Sequence, residues 1–125
     1  MKKIILTDKA PAPIGPYSQG VEANGLIFFS GQIAIDPSVG KIVASDVEGQ
    51  TKQVLANVKN LLAAAELTTD NVIKTTVFIK NIADFAKVNA LYAEVFASDA
   101  PARSCVEVSN LPAGALVEIE IVAAR

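Results

Sequence analysis

Histidine does not occur anywhere in the chain. That absence removes histidine-based triads, histidine-assisted thiol nucleophiles and the usual zinc sites. Cysteine occurs once, at Cys105, so no internal disulfide framework can form, which fits a reducing, cytoplasmic setting. Charged residues are 19% of the chain, below the roughly 25% of an ordinary soluble domain, and the formal net charge is −2. No positive field therefore draws the protein to nucleic acid or to an anionic membrane. A Walker A motif is missing. The stretch Gly15-Pro16-Tyr17-Ser18-Gln19-Gly20 has its glycines at the wrong spacing for a dinucleotide fingerprint and a proline inside it. Long hydrophobic runs are also missing. Met1-Lys2-Lys3-Ile4-Ile5-Leu6 starts like an export signal, but its apolar run stops before Thr7, far short of the ~7–15 residues required. No segment approaches the ~20 apolar residues of a membrane span. Whatever chemistry the chain performs must use carboxylates, Arg, Lys, Tyr, Cys105 or backbone groups, with neither cofactor nor metal expected.

What is present is apolar. The 125 residues suit one domain, 1–125, and 51% of them are hydrophobic. A core of this size cannot hide them all, so part of the surface is expected to be buried against other copies of the chain.

Periodicity places the elements. The loop from Asp8 to Pro16 carries three of the six prolines and reads as extended surface chain. Asn24-Gly25 lies between Tyr17–Ala23 and the apolar run Leu26–Ile35, a strong signal for a two-residue hairpin turn. Continued along the strands, that pairing sets Tyr17 opposite Gln32 and Ser18 opposite Gly31. Ser45-Asp46-Val47-Glu48 has the form of a capping box. Behind it Val47, Thr51, Val54, Leu55, Val58, Leu61, Leu62 and Ala65 recur at helical spacing, with Lys52, Gln53, Lys59 and Asn60 on the wet side. Ile73–Lys80 is β-branched and reads as a strand. A second helix runs from near Asn81–Asp84 to near Phe96, with the stripe Phe85, Val88, Tyr92, Val95 and Phe96. Two strands, Ala102–Val108 and Ala115–Ala123, close the chain around Ser109–Gly114. The order predicts an α+β two-layer sandwich, a mixed sheet with two helices on one face and the other face left for a neighbour.

Polar residues interrupt this pattern at a few positions. If the last two strands form a hairpin, Cys105 faces Glu118 and Arg103 faces Glu120, all on one side of the sheet. The pattern admits two readings: an exposed cross-strand ion pair of little consequence, or an anion site in which Arg103 offers its planar fork to a carboxylate. Asn89 sits inside the apolar stripe of the second helix, either as a structural bridge or as a ligand contact. Cys105 reads first as a small buried hydrophobe and Tyr17 as a packed ring with its hydroxyl at the rim. Ser30-Gly31 within an apolar strand suggests a bulge or a point of close backbone approach.

Taken together, these segments bear a resemblance. Ile14-Gly15-Pro16-Tyr17-Ser18-Gln19-Gly20, Phe29-Ser30-Gly31-Gln32, Val88-Asn89-Ala90-Leu91-Tyr92, Pro101-Ala102-Arg103-Ser104-Cys105-Val106-Glu107-Val108 and the tail from Leu111-Pro112 through Val117-Glu118-Ile119-Glu120 resemble the YjgF/YER057c/UK114 (RidA) family across the whole chain. The pattern is most similar to the archetypal deaminase subgroup, whose mark is the arginine carried here by Arg103. The resemblance implies a chorismate-mutase-like (bacillus-type) α+β fold, a homotrimer with a cleft at each subunit interface, and cofactor-free hydrolysis of 2-imino or enamino acids such as 2-iminobutanoate and 2-iminopropanoate. It also implies roles. Arg103 would hold the substrate carboxylate with help from the backbone at Cys105. The Gly31 carbonyl would accept from the imine nitrogen, Tyr17, Ser30 and Asn89 would line the cleft, and Glu118 would position the attacking water. One departure stands out: Ala97-Ser98-Asp99-Ala100-Pro101-Ala102 is shorter than in many relatives and lacks the aromatic that often precedes Pro-Ala-Arg.

The chemistry agrees with the resemblance. Once its nitrogen is protonated, an imine needs only to be held and supplied with one aligned water. Two other functions remain in view at this point. One is non-catalytic, regulatory binding of small carboxylates such as keto acids; the other is RNA cleavage, which the absent histidine and basic stripe make weak.

Overall fold

The Asn24-Gly25 turn is formed as its sequence predicts, with φ of 54° and 79° at the two residues. In the computed structural model, which describes all residues from Met1 to Arg125, it joins β2 (Gly20–Ala23) to β3 (Leu26–Gln32). The pairing runs from Ala23↔Leu26 to Gly20↔Phe29. The ladder to Tyr17 and Gln32 is not completed, because β2 begins only at Gly20 and the β3 register breaks between Phe29 and Gln32. A short strand not foreseen from the sequence, β1 (Lys3–Ile5), pairs outside β2, so the lysine-rich start belongs to the sheet. A second small hairpin, β4 (Ile35–Asp36) with β5 (Lys41–Ile42), cuts short the apolar run that reads as one strand.

Helix α1 (Val47–Ala64) buries every residue of its expected stripe. The capping box does not form: Asp46 is the N-cap and makes no side-chain capping bond. The helix ends in a Schellman motif, Leu67 N–H donating to the Leu62 carbonyl and Glu66 N–H to that of Ala63, with Glu66 at φ 61°. Next come β6 (Val72–Ile79) and α2 (Phe85–Val95), introduced by a 3₁₀ turn whose N-cap Asn81 accepts from the Ala83 N–H. Then follow β7 (Ala102–Glu107) and β8 (Val117–Ala124).

The sheet has the order β1-β2-β3-β8-β6-β7 and is mixed. β7 and β8 are not a hairpin, which corrects the expected pairing. β6 lies between them, antiparallel to β8 and parallel to β7. The segment β6-α2-β7 is thus a parallel crossover unit, and 109–114 passes over β6 rather than turning back beside β7. Arg103 and Ile121 both pair with Thr75, while Val106 and Glu118 both pair with Phe78. Side chains alternate along a strand, so Arg103 and Cys105 share the helix-covered face with Thr75, Val77, Ile119 and Ile121. Glu118 and Glu120 lie on the opposite face.

The core sits between that first face and the two helices, in one cluster that includes Ile27, Phe29, Val54, Leu61, Val77, Val88, Tyr92 and Ile119. The second face has no helix over it. It presents Phe28 at 54% exposure and Val106 at 44%, interspersed with Glu118, Glu120 and Thr76. No helix is long and apolar enough to cross a membrane.

Candidate active site

The sequence-derived candidates fall into two groups, one on each face of the sheet. The first is built on β7 and α2. Arg103 on the edge strand reaches over the helix, where its Nη1 donates to Asn89 Oδ1 at 2.7 Å. Its guanidinium carbon stands 4.7 Å from the Tyr92 ring centroid and 5.4 Å from that of Phe85, both cation–π distances. Cys105, one strand step further, is half-buried. Burial pushes its thiol above the ordinary value of 9.0, and the nearby Arg103 offsets this only in part. The thiol is therefore neutral at pH 7, unlike an activated nucleophile.

The second group surrounds a cavity of about 200 Å³ at the end of β3. Tyr17, Gly31 and Glu118 line it, together with Gln19, Gln32 and the apolar residues Pro11, Ile14, Ile33, Ile35 and Pro112. Ser30-Gly31 is the bulge that the sequence suggests, lying where the β3–β8 register shifts. Gly31 is required there: a Cβ on it would stand 2.8 Å from Cδ of Glu118. The carboxylate thus lies directly over the bulge. Glu118 is half-buried and holds its proton above the ordinary carboxylate value of 4.5, first because burial penalises the charge and second because Glu120 repels it. Ser30 makes a brace, its hydroxyl donating to the Ser18 carbonyl at 2.6 Å and its N–H to the Gln19 carbonyl at 2.9 Å.

Arg103 and Asn89 are brought together, as are Tyr17, Gly31 and Glu118, but the two groups are separated by the sheet. The expected side-by-side placement of Arg103 with Glu118 and Glu120 fails within one chain, because β6 intervenes and the register across it aligns Arg103 with Ile121, one residue off Glu120 and so on the other face. The buried amides were missed from sequence. Gln19, 1% exposed, accepts from the Thr7 N–H through Oε1, and its Nε2 donates to the carbonyls of Thr7, Ala10 and Pro11 at 2.8–3.4 Å. It thereby pins the proline loop that carries Ile14 and Tyr17. Gln50 and Asn57 tie α1 to the backbone at Ala44, Leu116, Ile33 and Ile35 in the same way. The proline-rich loop was the available signal, since an extended segment without backbone partners needs side-chain amides to hold it.

A six-stranded mixed sheet backed by two helices, with an unpaired arginine on one face and a carboxylate-lined cavity on the other, defines a class of small α+β domain whose candidate site residues fall in two groups. Residues 7–125 match the family described as Endoribonuclease L-PSP. The chain belongs to this family, the YjgF/RidA family of the sequence motifs. It is 52% identical to a RutC family protein of Pyrococcus horikoshii over 98% of each chain. It is 49% identical to the 2-iminobutanoate/2-iminopropanoate deaminase of Salmonella typhimurium, over 100% of this chain and 99% of that one. A solved structure of a Rid family protein of unknown function from Yersinia pestis superposes with a TM-score of 0.97 at 50% identity, and the match covers both chains completely.

Proposed function

We propose that this protein hydrolyses reactive 2-imino acids to 2-keto acids and ammonia, as a homotrimer in which each cleft takes Arg103 from one copy and Tyr17, Gly31 and Glu118 from the next. The observation that carries this reading is the opposite facing of Arg103 and Glu118. Neither half is sufficient alone, since an anion anchor without a base binds and a base without an anchor has no oriented substrate. The uncovered apolar face around Phe28 and Val106 supplies the surface on which copies would meet. The reaction named for the Salmonella relative is the one this residue set suits.

In the completed cleft the substrate carboxylate lies on the Arg103 fork, and the protonated imine nitrogen donates to the Gly31 carbonyl. Glu118 accepts a proton from the water whose oxygen bonds to C2, giving a tetrahedral carbinolamine. The proton returns to the nitrogen, Glu118 takes the hydroxyl proton as the C–N bond breaks, ammonia leaves the 2-keto acid, and the proton on Glu118 passes to solvent. One water is consumed and no electrons change hands. The neutral Cys105 thiol takes no covalent part.

The test generates imino acid in situ with an amino-acid oxidase and follows ammonia release with and without the protein. Faster release in its presence, lost in Arg103→Lys with folding intact, supports the reading, because lysine keeps the charge but not the planar fork. Unchanged release, with 2-keto acids still bound, would leave a non-catalytic carboxylate binder instead.

A further inference from the structure

We propose that Asn89 and Tyr92 are positioning residues that hold the Arg103 guanidinium as an oriented, charge-unspent fork; the inference rests on the reading of Arg103 as the carboxylate anchor. A free arginine on an edge strand is dispersed among rotamers, and ordering it on substrate arrival weakens binding. Here the ordering is already done. One guanidinium edge is fixed by the Asn89 amide oxygen at 2.7 Å, and the face is supported by the Tyr92 ring at 4.7 Å.

The support is itself rigid. Tyr92 is 5% exposed, its hydroxyl shares a 2.7 Å hydrogen bond with the fully buried Thr75, and its ring packs on Phe96 with centroids 4.7 Å apart. Thr75 is also the residue of β6 that stands in register with Arg103 of β7. Hydroxyl, ring and guanidinium therefore rise in one column across the parallel crossover. Asn89 and Tyr92 are three residues apart on α2 and so present to the same side.

The charge matters as much as the geometry. The one salt bridge in the chain joins Arg125 to Glu22, so no carboxylate lies within ion-pair distance of Arg103. A neutral amide directs the fork without cancelling its charge, and the ring attracts the cation while offering no anion. An aspartate at position 89 would make the same hydrogen bond and satisfy the charge. The distinction between Asn and Asp is thus a distinction between an anchor poised for an incoming carboxylate and an internal ion pair.

The test compares Asn89→Asp, Tyr92→Leu and Tyr92→Phe with the wild type. It measures 2-oxobutanoate binding by calorimetry, kcat and KM for imine hydrolysis, and thermal unfolding. Asn89→Asp should raise both Kd for 2-oxobutanoate and KM by about 10–100-fold, with kcat changed by less than about threefold. Tyr92→Leu should raise KM by about tenfold, and Tyr92→Phe should recover most of that loss while still unfolding earlier, since Thr75 then loses its partner. A structural role alone would make binding and melting fall together. If Asn89→Asp binds 2-oxobutanoate within about twofold of wild type, the inference is overturned, whatever the Tyr92 variants do. Should Tyr92→Leu not fold, Asn89→Asp decides. If the wild type neither binds 2-oxobutanoate nor hydrolyses imine, the deaminase reading fails first and carries this inference with it; if it does both and the variants match it, only the inference fails.

Discussion

Glu118 and Gly31 compete for one volume, and that competition makes both testable. Gly31→Ala would drive its new Cβ into the carboxylate and push Glu118 off the bulge. Glu118→Gln keeps size and most hydrogen bonding but cannot accept a proton. It should leave 2-oxobutanoate binding nearly unchanged while turnover falls roughly 10²–10⁴-fold, the usual worth of a positioned acid–base group. Stopped assays on the two variants, read beside calorimetry, check this. The pH dependence has a definite sign. As a base Glu118 must be ionised, so turnover should drop as pH falls through its raised pKa, above the limb of an ordinary carboxylate. Glu120→Gln, by removing a repelling neighbour, should move that limb to lower pH. Stability runs the other way. The folded pKa exceeds the unfolded one, so the favourable contribution is complete in acid and disappears as pH rises through the folded value. Glu118→Gln should therefore melt later than wild type at pH 7, and that advantage should vanish below the ordinary carboxylate value of 4.5. At this scale the sequence singled out the candidates, because alternation inside apolar strands makes Arg103 and Glu118 conspicuous. It did not say that they stand back to back.

Elements show why. The α1 stripe was readable because helical periodicity refers only to the helix itself, and the Asn24-Gly25 turn because its chemistry is local. The pairing of β7 was not, since alternation fixes which residues share a face but says nothing about which strand comes next. Neighbours in sequence pair only about two-thirds of the time, and β7 instead joins β6 through the α2 crossover. The buried amides were hidden for a related reason: Gln19 looks like any loop glutamine until its partners arrive from Thr7, Ala10 and Pro11. Gln19→Leu should cost roughly 2–4 kcal/mol by leaving those backbone groups unsatisfied, and should also loosen the loop bearing Ile14 and Tyr17. Urea titration with a parallel rate assay measures both effects. Glu66 offers the opposite case. It closes the α1 Schellman motif with φ at 61°, a conformation that burdens any residue with a Cβ, so Glu66→Gly should stabilise the protein by about 0.5–1 kcal/mol.

At the scale of the whole molecule, the bare sheet face is where the proposed assembly is tested. Light scattering should return three times 13.1 kDa for the wild type. Phe28→Glu, which sets a charge in the middle of that face, should return a folded single chain without activity; a wild type that stayed monomeric at micromolar concentration would remove the shared cleft altogether. The back-to-back placement of Arg103 and Glu118 then has a genetic consequence. In the proposed trimer, two inactive alleles, Arg103→Lys and Glu118→Gln, would carry their lesions in different halves of the cleft. Unfolded together in equal amounts and reassembled at random, they should give a population of rings, pure and mixed, in which about one cleft in four draws its arginine and its glutamate from intact halves. Roughly a quarter of the wild-type rate should return from two inactive proteins, with the compensating clefts carrying both lesions. The same arithmetic makes neither allele a poison when co-expressed with the normal gene, because in the proposed ring each defective chain spoils one cleft and completes another with the half it keeps intact.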